Sequence, residues 1–444
     1  ESQELYFNNV IMLNKIDSTF YEAYYAKFNS DGICQWAKII TGIGSESTHS
    51  IAVDVNGFIY IAGSFTCPLL SINNNIEITN SGFEDSFIAK FDSEGICLWA
   101  EKIAGTGYDI TKKIILDRLA NIYIAGFFDS ISLDFNNNIT LENNSSNTDG
   151  FIAKYNPEGT CLWAEKIAGN NRDITWSLAL EENNFSNFYN NISNYLEPNI
   201  WVIGSFKSTI LHFNNGITLN NRGSEDAFFA KYNPSGDCIL AEKIAGSLDD
   251  FTTGIMIDNE KNVFIAGDFS SPILYFNNDI SLNNFGSDNT SDIFFAKYDI
   301  NGNCKWAERI SGSLNDNANG LTIDEYSNIY LSGDFQSNLL NFNNGISLSL
   351  NSSEYYYDGY IAKYSTESSI VDINSTNNSF SVYPNPVQDI ATISCNFPNS
   401  ANLKLTITNL VSEKVKEVLF NSTNNQVNLS DLSSGVYIFT ISGK

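Results

Sequence analysis

The stretch Ala153-Lys154-Tyr155-Asn156-Pro157-Glu158-Gly159-Thr160-Cys161-Leu162-Trp163-Ala164-Glu165-Lys166-Ile167-Ala168-Gly169 constrains the fold of this chain most, because close copies of it start at Ala26, Ala89, Ala230 and Ala296. A shortened copy starts at Ala362 and stops after Tyr364. Successive starts lie 63, 64, 77, 66 and 66 residues apart. A period of that length marks a repeat architecture, in which units that cannot bury their own faces shield one another, rather than a string of unrelated domains.

Within each unit the apolar residues alternate, as in Asn121-Ile122-Tyr123-Ile124-Ala125-Gly126-Phe127 and Asn328-Ile329-Tyr330-Leu331-Ser332-Gly333. That period of two specifies strands. Turn residues separate them: Asp54-Val55-Asn56-Gly57, Asn29-Ser30-Asp31-Gly32 and Asp299-Ile300-Asn301-Gly302. A further element, Phe135-Asn136-Asn137-Asn138-Ile139 and its relatives near Ile72, Phe213, Phe276 and Phe342, sets Asn and Gly between apolar residues and reads as a tight hairpin, since both tolerate positive φ. One unit therefore holds four strands, or five with the short arm of that hairpin, and nothing of useful length is helical. The sequence from Leu5 to Leu13 matches Leu340 to Leu348, so the chain opens midway through a unit.

Four-stranded antiparallel units with apolar residues on both faces stack as the blades of a β-propeller. Five Ile-Tyr-Ile-Ala-Gly-type strands predict five blades closed by terminal strands, with six as the alternative. Closure needs one copy of the half-unit shared by the two ends, yet both ends carry it. The surplus copy is free either to cap its own blade or to pair with a neighbouring molecule.

The pattern Asp-x-Phe-Ile-Ala-Lys-Tyr, a turn, Gly-x-x-x-Trp-Ala-x-x-Ile-x-Gly, then Asp-x-x-x-Asn-Ile-Tyr-Ile-Ala-Gly resembles the SBBP-type β-propeller repeat of bacterial secreted proteins and covers roughly residues 1–365. The resemblance implies a propeller and no particular activity. Residues 366–379, rich in Ser, Thr and Asn, read as a linker. The alternating strands of residues 380–444 then suit a small β-sandwich. This tail resembles the C-terminal sorting domain of the type IX secretion system of Bacteroidetes, with Tyr383-Pro384-Asn385-Pro386 and Gly435-Val436-Tyr437 where that family places its two most recognisable motifs. The resemblance implies engagement of the secretion machinery, export across the outer membrane, and an extracellular or outer cell-surface location.

Composition narrows the partners. The net charge is −27, from 51 acidic and 24 basic residues, and no basic patch is concentrated, so nucleic acid is excluded as a partner. No apolar run approaches the length of a membrane helix. Cys34, Cys97, Cys161, Cys238 and Cys304 occupy one equivalent position on successive units, too far apart for a disulfide ladder, and read as small buried hydrophobes at a strand start. Cys67 and Cys395 lie outside that pattern.

No catalytic constellation emerges. His49 and His212 fall in unrelated positions, acidic pairs such as Asp249-Asp250 and Glu181-Glu182 are not singled out, and phosphate-binding loops are absent. No cofactor or metal is assigned; calcium at acidic turns is the alternative, without an EF-hand-type run to support it. The third unit carries an insertion near Glu181 to Asn199, and its Phe185, Phe188, Tyr189 and Tyr195 are candidate partner-binding residues, since long loops on rigid repeats often carry binding. The expectation is a secreted, non-enzymatic, structural or adhesive propeller that self-associates into a homo-oligomer or polymer. The alternative is a lectin-like propeller that binds a surface glycan.

Overall fold

The computed structural model describes residues 4–7, 11–15, 20–143, 147–182, 195–286, 289–324, 327–343, 345–350, 357–364, 379–383, 390–396, 403–408, 414–420, 424–432 and 438–442. The chain divides into two units, Glu1–Ser365 and Thr366–Lys444.

In the first unit each repeat becomes an antiparallel sheet whose strands follow one another in chain order. The first complete sheet is Glu46–Val53, Ile59–Phe65, Asp85–Phe91 and Cys97–Ile103; the second is Asp109–Leu116, Ile122–Phe128, Asp149–Tyr155 and Cys161–Ile167. The third runs from Asp173–Glu181 through Asn199–Phe206 and Asp226–Tyr232 to Cys238–Ile244, and the fourth from Asp250–Ile257 through Val263–Phe269 and Asp292–Tyr298 to Cys304–Ile310. A fifth sheet has three strands, Asp316–Ile323, Ile329–Phe335 and Asp358–Tyr364. Before the first sheet stands a two-stranded pair, Ala23–Phe28 with Cys34–Ile40.

Ile59–Phe65 is buried along its whole length, so both faces of the sheet are covered. The cover is the next sheet. Tyr60, Ala62 and Ile88 of the first sheet pack with Ile114, Ile124 and Phe151 of the second, and equivalent residues form the core between every successive pair of sheets up to Phe264, Phe295, Leu331 and Tyr360. This is propeller-type packing, in which no sheet owns a core. The surplus third-type strand Asp358–Tyr364 stays with its own sheet, paired to Ile329–Phe335. Among the described residues, no ladder joins the two-stranded pair to the fifth sheet.

The fourth strand carries a bulge. Lys154 faces Trp163 but Tyr155 faces Cys161, so one residue is extra between Cys161 and Trp163. The thiols of Cys97, Cys161, Cys238 and Cys304 are buried, and burial pushes each of them up to about 12. Trp163 lies over Gly236 at φ +91°, where a Cβ would sit 3.0 Å from the indole, so this turn needs glycine for its backbone and for the approach of the ring.

The Asn-rich element is a hairpin, with Asn137 and Asn138 at φ 63° and 59°. It does not add a fifth strand to the blade. Its arms, for example Ser132–Phe135 and Ile139–Glu142, form a ladder only with each other, because the second and third strands it connects already pair directly. Instead each hairpin reaches back to the end of the preceding fourth strand through the bridges Ala104 to Asp134, Ala168 to His212 and Ala245 to Tyr275.

The second unit comprises two three-stranded sheets. One holds Ser379–Tyr383, Ile390–Asn396 and Asn424–Asn428; the other holds Lys414–Phe420, Leu403–Thr408 and Ile438–Ser442. Ala391, Ile393 and Val427 of the first pack with Leu403, Leu405 and Ile407 of the second, which is the sandwich expected from the alternation.

Candidate functional site: the inter-sheet grooves and the last sheet

Two Asn side chains build the grooves between sheets. In the second sheet Asn136 accepts from the Cys161 amide at 2.6 Å and donates to the Gly159 carbonyl at 2.6 Å, while Asn137 donates to the Cys161 carbonyl at 2.9 Å. Asn214 makes the same pair of bonds to Cys238 and Gly236, and Asn277 to Cys304 and Gly302. These amides staple each hairpin to the bulged fourth strand of its own sheet. Between that hairpin and the preceding sheet a groove remains, about 470 Å³ beside Lys102, Thr106, Ser132 and Asn136. Its equivalent one repeat on is about 740 Å³, beside Glu165, Lys166, Asn170, His212 and Asn214.

The fifth sheet lacks a fourth strand among the described residues, and a groove of about 410 Å³ lies beside its third strand, lined by Phe342, Ile346, Leu348, Ile361 and Tyr364. The face that would meet a following sheet is open there. Ile361 is 77% exposed, whereas its equivalents Ile88, Ile152, Phe229 and Phe295 are at most 1% exposed.

The insertion in the third sheet is clamped at both ends to the second. Arg118 pairs with Glu182 at 2.9 Å, and the buried Lys154 pairs with Glu197 at 2.8 Å. Of the four aromatic candidates only Tyr195 is described. It is half-buried, and burial, followed by the Asp117 carboxylate, raises its phenol. Phe185, Phe188 and Tyr189 lie outside the described residues. So do Pro384, Asn385, Pro386, Gly435 and Tyr437 of the sorting motifs; Tyr383 ends its strand opposite Thr392.

The histidines do not build a nucleophile. His49 Nε2 lies 2.9 Å from Ser64 Oγ, but the Ser64 hydroxyl is buried and donates to Glu84 at 2.6 Å, so the imidazole is not its base. Burial, followed by the Lys112 charge, lowers His49 to about 4. His212 is exposed at the groove rim. Among the described residues no group of three or more His, Cys, Asp or Glu converges on a metal position. Sequence reasoning missed the acid that opens each third strand and the one that opens the next first strand. The signal was present: Asp85, Asp149, Asp226 and Asp292 each stand two residues before Phe-Ile-Ala-Lys or Phe-Phe-Ala-Lys.

Comparison with known families settles the two resemblances. Residues 381–444 match the family described as secretion system C-terminal sorting domain, and residues 35–64 match the β-propeller repeat. The chain carries a propeller repeat and a C-terminal sorting domain. The sorting domain marks the propeller-repeat protein for type IX export to the cell surface or extracellular space. No helix among the described residues is long and apolar enough to cross a membrane. A relative 26% identical over 391 residues is the "Uncharacterized WD repeat-containing protein L264" of Acanthamoeba polyphaga mimivirus; 77% of this chain aligns, spanning 28% of that relative's length. Among solved structures, leech intramolecular trans-sialidase is similar at 9% identity and a TM-score of 0.25, covering 86% of this chain and 61% of that one. PorZ of the type IX secretion system of Porphyromonas gingivalis is similar at 9% identity and a TM-score of 0.16, covering 93% and 81%.

Proposed function

We propose that this exported protein is a non-catalytic structural or adhesive scaffold of the cell surface, built to associate with further copies of itself. The observation that carries the reading is the exposed face of the fifth sheet. Ile361 stands in solvent where every internal equivalent is covered by a following sheet. The complementary face also exists: Tyr24 and Phe28 of the two-stranded pair are 48% and 49% exposed, whereas their internal equivalents Phe87 and Phe91 are 0% exposed. Two different faces that match as internal neighbours match give head-to-tail association, which extends rather than closing on a two-fold axis. Supporting the non-catalytic reading, the buried Ser64 is engaged by an acid and the imidazole beside it is held neutral by burial.

Sedimentation velocity over a broad concentration range tests this. The wild-type chain is expected to form a concentration-dependent ladder of sizes, and Ile361→Lys, which buries a charge in the contact, is expected to abolish it. A single size for both proteins at every concentration overturns the reading.

The repeated grooves favour a second reading, a lectin-like protein with one shallow site per junction. Glycan-array binding that is lost on filling one groove with Asn170→Trp would favour it, and loss on deleting residues 184–196 would place the site at the insertion instead.

A further inference from the structure

At every passage from one sheet to the next, two acidic residues hold equivalent places. The acids that open a third strand and the following first strand are Asp85 with Asp109, Asp149 with Asp173, Asp226 with Asp250, and Asp292 with Asp316. Glu22 and Glu46 hold the same places between the two-stranded pair and the first sheet. One backbone hydrogen bond recurs at all five junctions. The amide of the second acid donates to the carbonyl of the residue just before the first: Asp109 to Glu84 at 2.8 Å, Asp173 to Thr148 at 2.8 Å, Asp250 to Glu225 at 2.7 Å, Asp316 to Ser291 at 2.9 Å and Glu46 to Tyr21 at 2.8 Å. That bond sets the two acidic residues side by side.

All eight aspartates are at most 1% exposed. Most of their Oδ2 atoms are satisfied. Asp85 accepts from the Ser81 amide at 2.6 Å, Asp109 from the Gly105 amide at 2.6 Å and from Ser130 at 2.8 Å, and Ser208, Ser271 and Ser337 donate to Asp173, Asp250 and Asp316. Oδ1 is satisfied only in three of them, where the amides of Ser208, Ser271 and Ser337 donate to Asp173, Asp250 and Asp316. Oδ1 of Asp85, Asp109, Asp149, Asp226 and Asp292 is buried without a hydrogen-bond partner, so every one of the four aspartate pairs contains at least one orphan. A buried carboxylate oxygen without a donor is costly, and a donor is what a neighbouring carboxylic acid supplies.

We propose that each junction is held by one proton shared between its two carboxyl groups, so that the grip of each sheet on the next loosens as the solution turns alkaline. The proton sits on one carboxyl and is donated to the orphan oxygen of the other; no bond to carbon changes. Cationic groups reach only the third-strand acid, with Lys166 at 3.6 Å from Asp149 and Arg309 at 3.9 Å from Asp292, while Lys102 faces Asp85, and Lys243 and Arg222 face Asp226. Asp129 adds a further negative charge beside Asp109. Where a single cation faces the pair, as Lys166 does at Asp149 and Arg309 at Asp292, a pair carrying one proton is neutral with it and a pair carrying none keeps an excess negative charge. A divalent cation is the weaker occupant, since only two carboxylates converge beside a resident cation and calcium wants six to eight oxygens.

Burial first, and then the partner's charge, push Asp109, Asp173 and Asp250 up to about 7, with the serine and amide donors opposing. Asp292 moves the same way to about 7, and burial holds Asp149, Asp226 and Asp316 at about 6. These folded values stand above the ordinary carboxyl value of 3.8, so this stability is fully present below about 4 and is lost as pH rises through 6 to 7. Calorimetry of the full chain in EDTA tests the proposal. The melting temperature is expected to fall by about 5 °C or more between about pH 5 and pH 8, with net proton release on unfolding near pH 6. Asp109→Asn, a permanently neutral donor, is expected to reduce that fall. Infrared spectra of the native protein near pH 6 are expected to show protonated carboxyl groups that disappear by pH 8, a readout that does not depend on the variant folding. A melting temperature that is flat or rises over that range overturns the shared proton, and so does one that rises on adding calcium at pH 8.

Discussion

Asn136 shows how one side chain fixes the local geometry of a repeat. Its amide bonds at once to the Cys161 amide and the Gly159 carbonyl, so it ties a hairpin, a turn and a bulged strand together. At about 1 kcal/mol for each such bond, Asn136→Ala is expected to cost about 2 kcal/mol, read as a lowered urea midpoint with an unchanged slope. Asn136→Asp is expected to cost more, because it sets a carboxylate against the Gly159 carbonyl while keeping only the acceptor. This role was half legible. The run Asn136-Asn137-Asn138 announced positive φ, and φ is positive at Asn137 and Asn138; that the first Asn reaches across to a strand 25 residues later depends on the bulge, which no local pattern encodes.

At the scale of elements, strand identity and order followed from alternation and turn chemistry, since Ile59–Phe65 and its copies bury both faces and their turns carry Asp, Asn and Gly. The hairpin's separation from the blade was not legible, because counting strands does not reveal which ones pair. Nor were the acid pairs, since residues 85 and 109 become neighbours only when two sheets stack. The insertion belongs to this scale too. Its return arm sets Glu197 against Lys154, whose side chain is 3% exposed. Glu197→Gln strands that buried charge and is expected to cost about 2–3 kcal/mol, measurable as a fall in melting temperature that Lys154→Met in the same chain restores. Equal melting temperatures for wild type and Glu197→Gln would instead show the pair to be solvent-relaxed.

For the whole molecule, the repeat and the tail told most of what the structure shows: stacked propeller-type sheets in one unit and a two-sheet sandwich in the other. The blade count was less legible, because it depends on whether Asp358–Tyr364 joins its own sheet or closes a ring, and the strand sequence fits both. With the strand in its own sheet, Ile361 is left uncovered, and the scaffold reading rests on that exposure. Electron cryo-tomography of the parent cell surface, comparing wild type with Ile361→Lys, tests it most directly. Ordered head-to-tail rows of the exported protein that dissolve in the variant are the expected result; isolated particles on wild-type cells would contradict it.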